Sequence, residues 1–154
     1  DAGLTANLLA PTELIRATVD GMIERGFGRI VNVTSIAVRT PFPGLAMSSA
    51  SRSALTALVA SISREVAAHN VTINNLQPGI FETDRMLIGL KGAAKATGRT
   101  VEDTRAGMLS NIPAGRFGDP EEFGHACAFL CSSYSGFITG QNLLLDGGHF
   151  PGAF

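Results

Sequence analysis

Residues 71–83 read VTINNLQPGIFET. The opening six, Val71 to Leu76, predict a strand, because β-branched and apolar side chains suit a pleated, buried surface. Only a two-residue turn separates them from a long helical pattern. Ala50, Ala54, Leu58, Ile62 and Val66 fall four apart with Leu55 and Val59 beside them, which predicts a helix from about Ala46 to His69. Before it, Arg29 to Thr34 (RIVNVT) reads as a buried strand, followed by a loop that begins with Ser35 and ends near Gly44.

Further out, Leu8, Leu14, Ile15, Val19, Met22 and Ile23 recur near helical spacing and predict a first helix from about Leu4 to Arg25. Pro11 falls in or near its first turn, and Gly26 and Gly28 stop it. On the other side, residues 85–110 carry scattered Gly, Lys and Thr with weak amphipathicity, which predicts a loosely helical, mobile lid. Asp119-Pro120-Glu121-Glu122 marks a helix start: an Asp cap, proline at the first helical position, and carboxylates at the positive end of the dipole. That helix should run to about Ser132. Gln141 to Leu145 then reads as a last strand, before Asp146-Gly147-Gly148 and a short apolar tail.

Helices alternating with strands in this order require parallel strands joined by right-handed crossovers, hence a doubly wound α/β fold. Three strands make an incomplete sheet, and Asp1 enters a helical pattern without an initiator methionine, so the chain is expected to be a piece of something longer. The Ala- and Ser-rich first half of the second helix would let another helix approach closely, within or between subunits.

A chain of 154 residues with 45% hydrophobic content can bury a sizeable core. Its net charge of -1 offers no field to attract nucleic acid or an anionic membrane, and no apolar run approaches the ~20 residues of a membrane span. Cys127 and Cys131 lie on one helix face; with His125 and His149 they match no zinc spacing, so no metal site is expected and both thiols are read as core. No secretory signal precedes them, and the expected location is the reducing cytoplasm.

Four segments share one pattern: Asn7-Leu8, IVNVTS at 30–35, INNLQPGIFET at 73–83 and ITGQNLLLDGG at 138–148. In that order they resemble the C-terminal half of the short-chain dehydrogenase/reductase family across nearly the whole chain. The resemblance implies that residues 1–154 form the C-terminal half of one Rossmann-like domain, with the lid at about 85–111. It also implies NAD(P)-dependent hydride transfer between a carbonyl and a secondary alcohol, and a homodimer or homotetramer. The first two helices and the C-terminal strand and tail would lie at its subunit interfaces. The family's glycine-rich phosphate turn has no counterpart here, since Gly26/Gly28 precede a strand and Gly89/Gly92 fall in the lid. NAD and NADP therefore stay undistinguished, and this chain alone should bind a dinucleotide poorly.

By motif spacing, the family's catalytic Asn, Ser, Tyr and Lys positions fall on Asn7, Ser35, Ser48 and Arg52. The register rests on SASRSAL at 49–55 and on the thirteen-residue step from Ser35 to Ser48. Tyrosine and lysine are thus absent where the resemblance needs them, and the single tyrosine is Tyr134. Serine is shorter and far less acidic than a phenol, whereas arginine keeps positive charge and donors for ribose hydroxyls. Pro78, Gly79, Ile80 and Thr83, with Arg52, become cofactor-binding candidates. Each has a plainer reading: Ser35 a loop cap, Ser48 packing, Arg52 a solvated charge, Thr83 a helix cap, Asn7 a response to helix distortion near Pro11. Two functions follow, an oxidoreductase with an altered proton donor or a noncatalytic relative kept for cofactor sensing or assembly.

Overall fold

The computed structural model describes residues 2–153. Three parallel strands, β1 (Gly28–Val33), β2 (Val71–Pro78) and β3 (Asn142–Leu145), form a sheet in the order β1-β2-β3. Gly28 pairs with Val71 and Val33 with Leu76 on one side of β2; Asn75 pairs with Asn142 and Pro78 with Leu145 on the other. The central strand runs two residues past its predicted end because β3 gives Gln77 and Pro78 partners, and it is buried from Val71 through Gln77. Among the described residues β1 pairs only with β2, so its outer edge lacks a strand, and Val33, expected to be buried, is 53% exposed.

Helix α1 is continuous but changes geometry: Ala2–Leu4 is α-helical, Thr5–Leu9 is a π turn, and Ala10–Glu24 is α-helical again. Pro11 has no N–H to offer the carbonyl of Asn7 four residues back, and the widened turn lies over that lost bond. Helix α2 (Ala46–Val66) passes into a 3-10 turn, Ala67–His69, which Asn70 ends with a left-handed φ of 58°. Ile15 from α1, Leu55, Val59 and Val66 from α2, and Val71 and Ile73 from β2 make the buried core on this face of the sheet. Ala50 and Ala54 are exposed, so the small-residue surface of α2 is open to a neighbouring helix.

Side chains alternate along a strand, so Thr72 and Asn74 point to the other face. There α5 (Pro120–Cys131) packs on β1 and β2. Arg29 ties the two together, its Nε donating to the Ser132 carbonyl at 3.1 Å. Asp119 and Glu122 close a full capping box at the start of α5, and Arg116 grips Glu122 with bonds of 2.8 and 2.6 Å. That guanidinium first, and then the Asp119 N–H, hold the Glu122 carboxyl down to about 2. A depressed carboxylate stabilises the fold above its ordinary value, near ~4.3. The stability difference between wild type and Glu122→Gln should therefore be full at neutral pH and vanish as the pH falls towards 2 in an acid titration followed by circular dichroism.

Two expectations change. The loosely helical lid is two capped helices, α3 (Asp84–Thr97) and α4 (Val101–Leu109), started by Thr83 and Thr100 side chains and separated by a left-handed Gly98. Nor are the thiols core: Cys127 is half-buried and Cys131 exposed, because α5 seats Leu130 in the interior and their stripe runs outward along the helix. Burial first, and then the adjacent Cys131, push the Cys127 thiol up. Among the described residues no helix is long and apolar enough to cross a membrane.

Candidate active site

A parallel sheet brings the carboxyl ends of its strands to one edge. Thr34 pins the end of β1 to β2, its N–H and hydroxyl both donating to the Leu76 carbonyl at 2.8 and 3.2 Å. Ser35 leaves the sheet there, and its Oγ accepts from the Ala37 N–H at 3.1 Å to cap the 3-10 turn Ile36–Val38. The capping reading of Ser35 is thus correct, but an accepting hydroxyl keeps its hydrogen for another partner.

Ser48 and Arg52 are one turn apart near the start of α2, and the structure brings them together: Arg52 Nε donates to Ser48 Oγ at 3.3 Å. Arg52 Nη1 donates to the carbonyls of Val33 at 2.9 Å and Thr34 at 2.6 Å. The guanidinium therefore straddles the end of β1 and is no freely solvated charge. Burial first, and then the charge of Arg85, hold it below its ordinary value. Asn7 lies half-buried in the π turn, which packs against α2, the helix that carries Ser48 and Arg52. Tyr134 follows α5 in a 3-10 turn, is 88% exposed, and lines no part of this region.

Pro78, Gly79, Ile80 and Thr83 line one cavity of about 660 Å³, whose wall also includes Val33 and Arg85. The rest is mostly apolar, with Leu45, Phe81, Met86, Leu90, Met108 and Phe123 contributing. The strand-end segment is stitched in place by Gly79 N–H to the Leu145 carbonyl at 2.8 Å, Gly118 N–H to the Ile80 carbonyl at 2.9 Å, and Glu82 N–H to the Gly118 carbonyl at 2.9 Å. Ile80 N–H finds no acceptor among the described residues, and Thr83 Oγ1 accepts from the Met86 N–H at 3.2 Å while keeping its own hydrogen. A nicotinamide carboxamide, which needs donors for its oxygen, fits that pair. From α4, Arg105 reaches Glu82 at 2.9 Å, tying that helix to the segment that leads into α3.

Two cations escape a reading of the sequence. Arg85 directly follows the Thr83-Asp84 helix start, where nothing marks it out from other surface arginines. Arg39 locks the loop after Ser35: its Nε donates to the buried Gln77 Oε1 at 2.8 Å, its Nη2 to the Asn142 carbonyl at 3.3 Å, and its guanidinium lies 5.6 Å from the Phe150 ring centre. Among the described residues no cluster of His, Cys, Asp and Glu could hold a metal ion.

Residues 1–149 match the family described as Enoyl-(Acyl carrier protein) reductase. The chain is 34% identical over 145 residues to a 3-oxoacyl-[acyl-carrier-protein] reductase of Haemophilus influenzae, covering 94% of this chain and 55% of that protein. It is 34% identical over 150 residues to an acetoacetyl-CoA reductase of Allochromatium vinosum, covering 97% of this chain and 56% of that one. Among solved structures, YwfH, an NADPH-dependent reductase involved in bacilysin biosynthesis, superposes with a TM-score of 0.90 at 30% identity, over 97% of this chain and 57% of its own. The chain thus spans about half the length of the relatives it matches.

Proposed function

This chain belongs to the short-chain dehydrogenase/reductase family, and from that premise we propose that it forms the catalytic half of an NAD(P)-dependent oxidoreductase that interconverts a carbonyl and a secondary alcohol. The observation that carries this reading is the junction at the end of β1, where Arg52 joins Ser48 to the Val33 and Thr34 carbonyls beside the cavity of Pro78, Gly79, Ile80 and Thr83. When bound, the nicotinamide supplies a hydride to the carbonyl carbon. Ile80 N–H and the Thr83 hydroxyl would hold its carboxamide, and Arg52 would keep positive charge near its ribose.

Ser35 donates its remaining hydrogen to the substrate oxygen and stabilises the charge that gathers there. Ser48 is the altered proton donor. Its hydroxyl accepts from Arg52 and so is free to pass its hydrogen to the alkoxide, being refilled from solvent. The guanidinium lowers the cost of the transient serine anion. Ser48 remains a poorer acid than a phenol, and catalysis should run slower than with tyrosine by up to about 10²–10⁴-fold. The α3–α4 pair serves as the lid, since Met86, Leu90 and Met108 line the cavity from above.

The relatives' names, reductases of 3-oxoacyl and acetoacetyl thioesters, support a carbonyl as the reacting group. The free thiols of Cys127 and Cys131 suit a reducing cytoplasm, and the exposed Ala50 and Ala54 suit close helix packing in a homodimer or homotetramer. In a protein of the relatives' full length that carries this chain, Ser35→Ala should lower carbonyl-dependent NAD(P)H oxidation by about 10–100-fold with cofactor affinity unchanged. Equal turnover in wild type and variant would remove Ser35 from the mechanism.

A second reading, a noncatalytic relative, is favoured by one observation. Three of the donor bonds of Arg52 are already made within the protein, and no tyrosine stands beside it.

A further inference from the structure

One side chain spans the sheet. Arg39 sits in the loop that follows β1, and its guanidinium reaches the other two strands: Nε donates to Gln77 Oε1 of β2 at 2.8 Å, and Nη2 to the Asn142 carbonyl of β3 at 3.3 Å. Gln77 is 1% exposed, and among the described residues no other donor reaches its side-chain oxygen. That oxygen would be costly to leave dry and unpaired. The backbone of Arg39 ends the 3-10 turn that Ser35 begins. Its N–H and that of Thr40 donate to the Ile36 carbonyl at 2.8 and 3.0 Å, the Val38 N–H donates to the Ser35 carbonyl at 3.1 Å, and Ser35 Oγ accepts from the Ala37 N–H. Residues 35–40 are therefore one bonded unit with Arg39 as its tether. Burial of Ile36 and Ala37 holds the unit down but has no direction, so the two guanidinium bonds set where along the sheet it lies. Phe150 packs on the tether with its ring centre 5.6 Å from the guanidinium, and is itself held by its N–H on the Asp146 carboxylate at 2.7 Å.

We propose that Arg39 is a positioning residue for hydride transfer, fixing the Ser35 turn against the strand that leads to Ile80 and Thr83. The proposal rests on the oxidoreductase reading of this site and adds how its two halves are kept in register. Gln77 directly precedes Pro78 and Gly79, so the strand that Arg39 grips is the one that delivers Ile80 N–H and the Thr83 hydroxyl to the nicotinamide. Ser35 acts on the substrate oxygen from the other segment. A carbonyl held between them takes hydride at its carbon and a hydrogen bond at its oxygen only while the two segments keep one separation. A displacement of ~1 Å there costs about 10²-fold in rate. Arg39 does not line the cavity and acts through Ser35. A guanidinium suits the task because one rigid plane points Nε and Nη2 at two separate acceptors, whereas a lysine offers one nitrogen on a flexible stem.

The test uses a protein of the relatives' full length that carries this chain, with acetoacetyl-CoA, ethyl acetoacetate and 2-octanone as carbonyl probes. Arg39→Met should lower kcat by about 10–100-fold, while the dissociation constant for NAD(P)H, read by fluorescence, stays within about twofold. In a Ser35→Ala background the same substitution should lower kcat by less than about threefold, because the hydroxyl it positions is gone. A merely structural arginine would cost the same factor in both backgrounds. Arg39→Met leaves Gln77 Oε1 unpaired, so Arg39→Met/Gln77→Met removes both polar partners: its urea midpoint should return towards wild type with kcat still low. Arg39→Lys should recover part of the rate. Hydrogen exchange supplies a readout that needs no turnover. In Arg39→Met the Ala37 and Val38 amides, both bonded to Ser35, should lose at least about tenfold in protection, and the Gly28 amide, bonded to the Asn70 carbonyl, none. Unchanged protection at Ala37 and Val38, equal loss of kcat in both Ser35 backgrounds, or a rate that recovers with stability in the double variant would overturn the positioning role alone. Absence of wild-type turnover with all three probes would sink the oxidoreductase reading, and the role in hydride transfer with it, even where the amides lose protection.

Discussion

Ser48→Tyr combined with Arg52→Lys raises NAD(P)H-dependent carbonyl reduction by about 10²–10⁴-fold in a protein of the relatives' full length that carries this chain. The size follows from proton supply. A phenol beside an ammonium ionises far more readily than an alcohol, and its ring carries the hydroxyl farther from the helix. Lysine is needed with it because Arg52 is occupied: its Nη1 is held by two backbone carbonyls and its Nε by Ser48 Oγ. A tyrosine added alone would lose the Ser48 contact and gain no mobile ammonium, so Ser48→Tyr by itself should recover only a small part of the increase. Steady-state rates with a panel of carbonyl compounds decide between the two readings of function. Measurable wild-type turnover that rises further in the double variant supports the altered donor; activity found only in the double variant supports the noncatalytic relative. No gain in any variant would mean that positions 48 and 52 do not face the reacting carbonyl, and both readings would need a different register.

The sheet was legible because its rules are local. β-branched and apolar runs separated by long helical patterns fix three parallel strands joined by crossovers, and each appears within two residues of its expected bounds. The distortion of α1 was legible too, since Pro11 must deprive the carbonyl of Asn7 of its donor wherever the helix goes. What the sequence hides is whatever depends on backbone acceptors or on distant segments meeting. Arg52 is held by the carbonyls of Val33 and Thr34, groups that every residue possesses and no pattern displays. Arg85 acquires meaning only when α3 carries it to the cavity wall. Residues 85–110 read as weakly amphipathic because few of their apolar side chains are covered: Leu90 and Ala94 of α3 are buried, Leu87 and Ile88 are exposed, and α4 buries none. The exposure of Cys131 is hidden for the opposite reason: its stretch of apolar residues reads as core, yet α5 buries Leu130 and leaves Cys131 exposed.

Gly79→Ala should destabilise the fold by about 1–3 kcal/mol, seen as a lower urea midpoint with an unchanged slope. The reason is contact, not flexibility. A Cβ at this position would lie 2.8 Å from the Asp146 Cβ and 2.9 Å from its Cα, and a backbone atom cannot swing aside as a side-chain tip does. Relief requires the ends of β2 and β3 to part. The first bond to stretch would be Gly79 N–H to the Leu145 carbonyl, now 2.8 Å. Because Ile80 and Thr83 hang from that junction, the same substitution should weaken cofactor binding beyond any loss of folded protein. Gly92 in α3 supplies the control of opposite sign. An added Cβ there meets nothing within 4 Å, so Gly92→Ala should stabilise by ~0.5–1 kcal/mol through helix propensity alone. If both substitutions shift the urea midpoint in the same direction, the close approach of Gly79 to Asp146 is not what holds the two strand ends together. The Pro78-Gly79 motif would then owe its glycine to the ligand it faces.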